Sequence, residues 1–308
     1  MNISKKGTVA FMNPSRRCPS AVLIITALLT LAATVCHTVI LLTAFDTAVG
    51  HYNDTPLSSV LLAIIALAVT AAVVGAIATP KNALPTVWPA NLIGDAATRV
   101  PMILFIFAGA MALAPFVNSE GGSMIHVLLF VTGILSAIYF ALASSRTKKE
   151  IAGVVTALGF APLAWTMLAV ADTYLDNGIA MNSPVKIAVQ LGFLSVMLLA
   201  TAELRFRLGK AAPRLALAFH WLAAFFCIGG GLPVLIASAV GILSNAAYAV
   251  YAAAVFAMGV YAIARAVAYV YHPDEDETPA AETVDSGNES ETLVPETADD
   301  VIPDKRGE

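Results

Sequence analysis

The sequence predicts an all-α, polytopic membrane protein with eight transmembrane helices. Three observations predict it. Hydrophobic residues make up 58% of the 308 and charged residues only 12%, where a soluble domain carries about 25% charged. Apolar runs near the ~20 residues that cross a hydrocarbon core recur from Ala21 to Val270. Basic residues fall almost entirely between alternate runs.

Charge divides the chain into a basic N-terminal segment (1–19), a membrane domain (20–271) and an acidic tail (272–308). Residues 1–272 hold 15 Lys/Arg and 8 Asp/Glu, whereas residues 273–308 hold 2 and 13. A body of about +7 is thus followed by a tail of −11. The tail is rich in Asp, Glu, Thr, Pro and Ser. It has too few large apolar residues to bury a core, and it reads as a disordered, solvated extension.

The first span is Ala21–Ala44, behind Lys5, Lys6, Arg16 and Arg17. Basic residues before an apolar run also begin a secretory signal, but this run exceeds the ~7–15 residues of a signal core. No small-x-small site ends it, and Val35 is too bulky for Ala33-Thr34-Val35-Cys36 to serve as a lipoprotein site. Met1 and Met12 both stand as starts. The remaining spans are Leu57–Ala78, Val100–Val117, Met124–Ala143, Ile151–Ala171, Pro184–Ala202, Pro213–Ile236 and Ile242–Val270. A proline at a helix start removes an N–H that has no partner there. The triplet Gly229-Gly230-Gly231 is expected to end or break the seventh span. Ala, Gly and Ser along the spans allow close helix approach.

Orientation follows from the basic residues. The N-terminus, Lys81, Arg99, Arg146, Lys148, Lys149, Arg205, Arg207, Lys210, Arg214 and Arg265 belong to one side, 14 of the 15 before the tail. Lys186 stands alone on the other side with Asp46, Asp54, Glu120, Asp172 and Asp176. The positive-inside rule places both termini in the cytoplasm. An even span count is required, and the expected location is a multi-pass plasma membrane protein.

Spans 1 and 5 end alike. Asp46-Thr47 leads to Asn53-Asp54-Thr55-Pro56, and Asp172-Thr173 leads to Asn182-Ser183-Pro184. Two readings stand: two parallel four-helix halves, or shared capping chemistry. Under the first, Asp46 and Asp172 meet at similar depth, with Asp176 nearby and Gln190 in the sixth span. Together they form a candidate site for a small solute or cation. Polar residues such as Gln190 and Asn245 more often join helices by hydrogen bonds. Glu203, followed by Arg205 and Arg207, reads as a local ion pair or a snorkelling side chain, and Arg265, one turn beyond Tyr261, as a side chain that snorkels to the cytoplasmic face. Tyr248 and Tyr251 share one helix face, and Trp88, Trp165 and Trp221 fit packing or interfacial belts.

His37 and His126 lie within spans at comparable outer depth, and a haem held by two histidines needs such a pair. Isolated, hydrogen-bonded histidines are the plainer reading, and no cofactor is expected. Cys18, Cys36 and Cys227 form no CxxC, and no P-loop, HExxH, GxSxG or DxxD motif occurs. Nothing points to catalysis or a nucleic-acid partner. The expected partners are the lipid bilayer and a protein that docks on the acidic tail.

At Thr43-Ala44-Phe45-Asp46-Thr47-Ala48-Val49-Gly50, and again at Asn182-Ser183-Pro184-Val185, the chain resembles an uncharacterised group of multi-pass proteins of clostridial-type bacteria. Their first span ends in a Thr-x-Phe-Asp…Gly pattern. The resemblance implies a bacterial inner membrane and brings no catalytic residue. Three classes remain. A non-enzymatic membrane component or accessory protein leads, a small-solute transporter follows, and a haem or intramembrane enzyme comes last.

Overall fold

The computed structural model describes residues 17–47, 49–53, 55–85, 92–117, 122–143, 151–176, 180–243 and 245–271. Asp54, Trp88, Glu120, Arg146, Lys148, Lys149, the segment before residue 17 and the tail from 272 lie outside the described residues.

Eight helical segments are long and apolar enough to cross a membrane. They are built from α1 (Arg17–Thr43), α2 (Pro56–Ala78), α3 (Leu92–Ala97), α4 (Arg99–Ala112), α5 (Ala114–Val117), α6 (Met124–Leu142), α7 (Ala152–Leu158), α8 (Ala161–Leu175), α9 (Pro184–Arg207), α10 (Pro213–Ala239) and α11 (Ala246–Val270). The third span is α3–α5 end to end, and the fifth is α7 with α8. Each break lies two or three residues before a proline: Thr98 before Pro101, Leu113 before Pro115, and Phe160 before Pro162. Proline has no N–H for the carbonyl one turn back and its ring crowds that carbonyl, so the helix opens there.

The glycine triplet does not end or break the seventh span; α10 runs through it. The triplet instead lets α10 meet three neighbours. A Cβ on Gly229 would stand 3.5 Å from the Ala33 Cβ of α1. One on Gly230 would meet the Ala188 carbonyl oxygen of α9 at 2.9 Å, and one on Gly231 the Ala252 oxygen of α11 at 2.8 Å. In hydrocarbon no water competes for backbone hydrogen bonds, so helices tolerate Gly and Pro that would fray them in water.

Between α1 and α2 the chain forms a small hairpin of β1 (Phe45–Asp46) and β2 (His51–Tyr52), with Phe45 opposite Tyr52 and Asp46 opposite His51. Gly50 closes it at φ +69°, a left-handed conformation that favours glycine, and its N–H donates to the Asp46 carbonyl at 2.8 Å. The Thr-x-Phe-Asp…Gly pattern is therefore hairpin chemistry at the end of α1.

The two ends of the bundle differ. At one, Arg214 Nε donates to the Thr79 carbonyl at 2.8 Å, Arg207 Nη2 to that of Ala143 at 3.0 Å, and the Tyr269 hydroxyl to that of Pro85 at 3.1 Å. At the other lie the hairpin, Asp172, Asp176 and Lys186. These are the basic and acidic ends that the charge count separates.

The spans do not pack as two four-helix halves. α1 and α2 pack on α10, whereas α4 and α6 pack with α8 and α11. The close pairs α4–α6, α6–α8, α8–α9, α9–α11 and α11–α4 form a five-span ring. α10 braces its α9–α11 side and carries α1 and α2 outside it. The Asp-Thr echo places the two carboxylates differently, Asp46 in β1 beyond α1 and Asp172 within α8, and the proline that opens α2 and α9 is the common element. Outward faces carry exposed Leu28, Leu31, Leu62, Ile77 and Ile103, which suits a hydrocarbon solvent in which such faces need no cover.

Candidate functional site

At the acidic end the five-span ring opens into a cavity of about 360 Å³. Ala108, Met111 and Pro115 line it from the third span, His126 and Leu129 from α6, Trp165 and Asp172 from α8, and Asn245, Val250 and Tyr251 from α11. From Asp172 to Trp165 is seven residues of α8, about 10 Å at ~1.5 Å per residue. The cavity thus reaches well below the helix ends.

Asp172 is its polar centre. The Tyr251 hydroxyl donates to Oδ2 at 2.6 Å, and His126 Nε2 stands 3.6 Å from Oδ1. Both side chains keep about a fifth of their surface, 20% for Asp172 and 24% for His126, so they are open to the cavity. The ring of His126 is oriented from behind. Ser123 caps α6, and its N–H and hydroxyl meet His126 Nδ1 at 3.1 and 3.0 Å. A carboxylate near a helix C-terminus opposes the helix dipole; the Tyr251 bond and the imidazole offset that. One turn closer to the acidic end, Tyr248 lies beside Asp176. The shared face of Tyr248 and Tyr251 is therefore matched to the spacing of Asp176 and Asp172 on α8.

The cavity floor is aromatic. Trp165 contacts Tyr251 with ring centres 6.3 Å apart, Phe193 at 5.6 Å and Phe105 at 5.0 Å. Phe105 stacks on Phe140 at 5.6 Å, and Phe140 meets Tyr261 at 5.3 Å. This column fills the middle of the ring.

Of the four expected site residues, only Asp172 faces the cavity. Asp46 sits in the hairpin, where Oδ1 accepts from the Val49 N–H at 3.3 Å, and it does not line the cavity. Asp176 caps α8, and its carbonyl accepts from Lys186 Nζ at 2.7 Å. Gln190 Nε2 donates to Thr173 Oγ1 at 3.4 Å and joins α9 to α8 in the plain helix-bonding role. Asn245 is not helix glue; it caps α11, accepting from the Ala247 N–H at 3.0 Å. Arg265 does not snorkel. It is 3% exposed, with Nε 3.7 Å from Glu203 Oε1. Lys186, the lone basic residue counted on the acidic side, is buried.

His37 and His126 do not face one another. His37 lines a second, apolar cleft of about 240 Å³ among α1, α2, α9 and α10. Its Nδ1 is 3.0 Å from the Gly229 carbonyl and its Nε2 2.7 Å from the Tyr52 hydroxyl. Pro233, four residues beyond Gly229, cannot donate to that carbonyl, so His37 Nδ1–H supplies the missing donor. Nε2 then accepts from Tyr52, whose phenol is pushed above its ordinary range by burial and stays protonated.

Among the described residues no three His, Cys, Asp or Glu side chains come together as a metal-ligand set. Comparison of the chain with protein families, curated proteins and solved structures gives no match.

Proposed function

We propose that this integral membrane protein is a non-enzymatic transporter for a small amine-bearing solute, bound at Asp172 in the cavity of the five-span ring. The observation that carries the reading is a largely apolar cavity inside the bundle that holds a part-buried carboxylate over an aromatic floor. An ionisable residue facing a cavity within a helix bundle marks a solute pathway. Asp172 supplies the countercharge, and Trp165 and Tyr251 line the cavity beside it, aromatic neighbours of the kind that attract ammonium groups. At about 360 Å³ the cavity lies at the small end of the ~300–1,000 Å³ typical of ligand pockets, which suits a small molecule. A single carboxylate with one imidazole suits an organic cation better than a divalent metal, which takes 6–8 oxygens as calcium. With the basic loops in the cytoplasm, the cavity faces outward across a bacterial inner membrane.

The test is thermal stability of the purified protein against methylammonium, choline and a diamine. A ligand at 100 times its Kd stabilises by about 2.7 kcal/mol. Stabilisation by an amine should vanish in Asp172→Asn and persist in Asp46→Asn. No stabilisation by any of the three, or stabilisation undiminished in Asp172→Asn, defeats the reading. The −11 tail favours a second, accessory role, a partner contact that removal of residues 273–308 would abolish without touching amine binding.

A further inference from the structure

Below the aromatic column, toward the basic end, the same ring is tied shut. Glu203 of α9 is 6% exposed. Its Oε1 accepts from the Tyr261 hydroxyl of α11 at 2.6 Å and lies 3.7 Å from Arg265 Nε, one turn further along that helix. Arg207 follows Glu203 by one turn on α9. Its Nε donates to the Tyr139 hydroxyl of α6 at 3.3 Å, and its Nη2 to the Ala143 carbonyl. His220 of α10 lies within electrostatic reach of Glu203. Charged and hydroxyl groups of α6, α9 and α11 thus converge between Asp172 and the basic end.

We propose that Glu203 and Arg265 form the inner gate of the Asp172 pathway, a charge latch whose opening releases solute toward the basic end. The inference rests on the transport reading of the cavity. Three observations carry it. First, the latch and the cavity share one ring and one helix: Tyr251 bonds Asp172 and Tyr261 bonds Glu203, both at 2.6 Å. Ten residues of α11 separate them, about 15 Å, and the aromatic column fills that distance. Second, Arg265 and Glu203 are buried within the bundle, although Arg205, two residues from Glu203, is exposed. Taking two charges out of water costs several kcal/mol per ion, and apolar residues of similar volume commonly stabilise a core as well. A pair placed at that cost between neighbouring spans of the ring, with Arg207 tying α9 to α6 one turn on, fits an element that must break and re-form. Third, among the described residues the ring holds a cavity where Asp172 lies and buried side chains where Glu203 and Arg265 lie, as expected of one of the two states of alternating access.

The test is cysteine accessibility in vesicles, with Cys18, Cys36 and Cys227 replaced. Ala262→Cys places a thiol beside the latch, and Ala247→Cys places one at the cavity mouth. A membrane-impermeant thiol reagent is applied from the basic-end side for the first and from the acidic-end side for the second. Ala262→Cys should be protected in the parent and react at least tenfold faster in Glu203→Gln and in Arg265→Gln. The milder Tyr261→Phe should accelerate it less. The exchanged pair Glu203→Arg with Arg265→Glu should restore protection. Unchanged labelling at Ala247→Cys shows that the ring is still folded, and Tyr261→Phe carries the test where the charge variants fail that check. Continued protection in the variants that pass it, ready labelling in the parent, or no recovery in the exchanged pair overturns the latch. Asp172→Asn separates the two claims: the latch pattern with amine binding intact sinks the site and leaves the latch standing.

Discussion

The bond between His37 and Gly229 gives a prediction that can be worked from the structure. Pro233 leaves the Gly229 carbonyl without its helical donor, and the His37 Nδ1–H replaces it at 3.0 Å. In His37→Phe that buried carbonyl loses its side-chain donor, which costs about 1–3 kcal/mol. In a Pro233→Ala background the backbone N–H of residue 233 returns to Gly229. The imidazole bond is then a supplement, and its loss should cost about 0.5–1.5 kcal/mol. The Tyr52 hydroxyl loses its acceptor in both backgrounds, so that contribution cancels in the cycle. The two substitutions should therefore couple by about 1 kcal/mol, outside the ~0.3–0.5 kcal/mol within which independent sites add. The assay is equilibrium unfolding of the four proteins in mixed micelles titrated with a denaturing detergent. Additivity within that margin would refute the assignment of His37 as the donor that replaces the helical N–H.

Other outcomes follow from single contacts. Gly231→Ala puts a Cβ 2.8 Å from the Ala252 oxygen and from the Phe256 nitrogen, both backbone, so α10 and α11 must part; overpacking should cost about 1–3 kcal/mol, read as a lower melting temperature. Gly153→Ala meets nothing within 4 Å and should stabilise by about 0.5–1 kcal/mol, as the same melting assay will show. Lys186→Met leaves the Asp176 carbonyl at the end of α8 without its buried cation; detergent unfolding should show a loss of about 1.5–3 kcal/mol. Tyr251→Phe removes the hydroxyl that orients Asp172. In a binding titration it should weaken amine affinity less than Asp172→Asn does, and an equal loss would mean that the carboxylate needs no orienting partner.

The membrane architecture was largely legible because its physics is one-dimensional. A span is a length of apolar residues, and its direction is a count of Lys and Arg beside it. The starts of α9 and α10 at Pro184 and Pro213 were read correctly for the same reason. The site was only partly legible. Asp172 could be singled out, since a carboxylate at a span end is conspicuous. His126 and Tyr251 could not be joined to it, since they lie 46 and 79 residues away and nothing local records that they face it. The shared face of Tyr248 and Tyr251 was the available signal, and without a partner helix it read as packing. The Asp46 pairing failed because the same Asp-Thr step falls in a hairpin after α1 and inside the helix in α8, a difference that the local pattern does not record.

The sequence by itself determined that the chain crosses a membrane eight times, with an acidic and a basic end. Transfer of apolar and charged groups between water and hydrocarbon depends on composition along the chain and little on neighbours. Tertiary structure alone decided that α4, α6, α8, α9 and α11 close a ring. It also turned Asp172 toward the cavity and buried Glu203 with Arg265 between α9 and α11. Those outcomes depend on which faces meet. Between helices in lipid that is decided by close small-residue contacts such as those of Gly230 and Gly231, and by the few polar groups that must find one another.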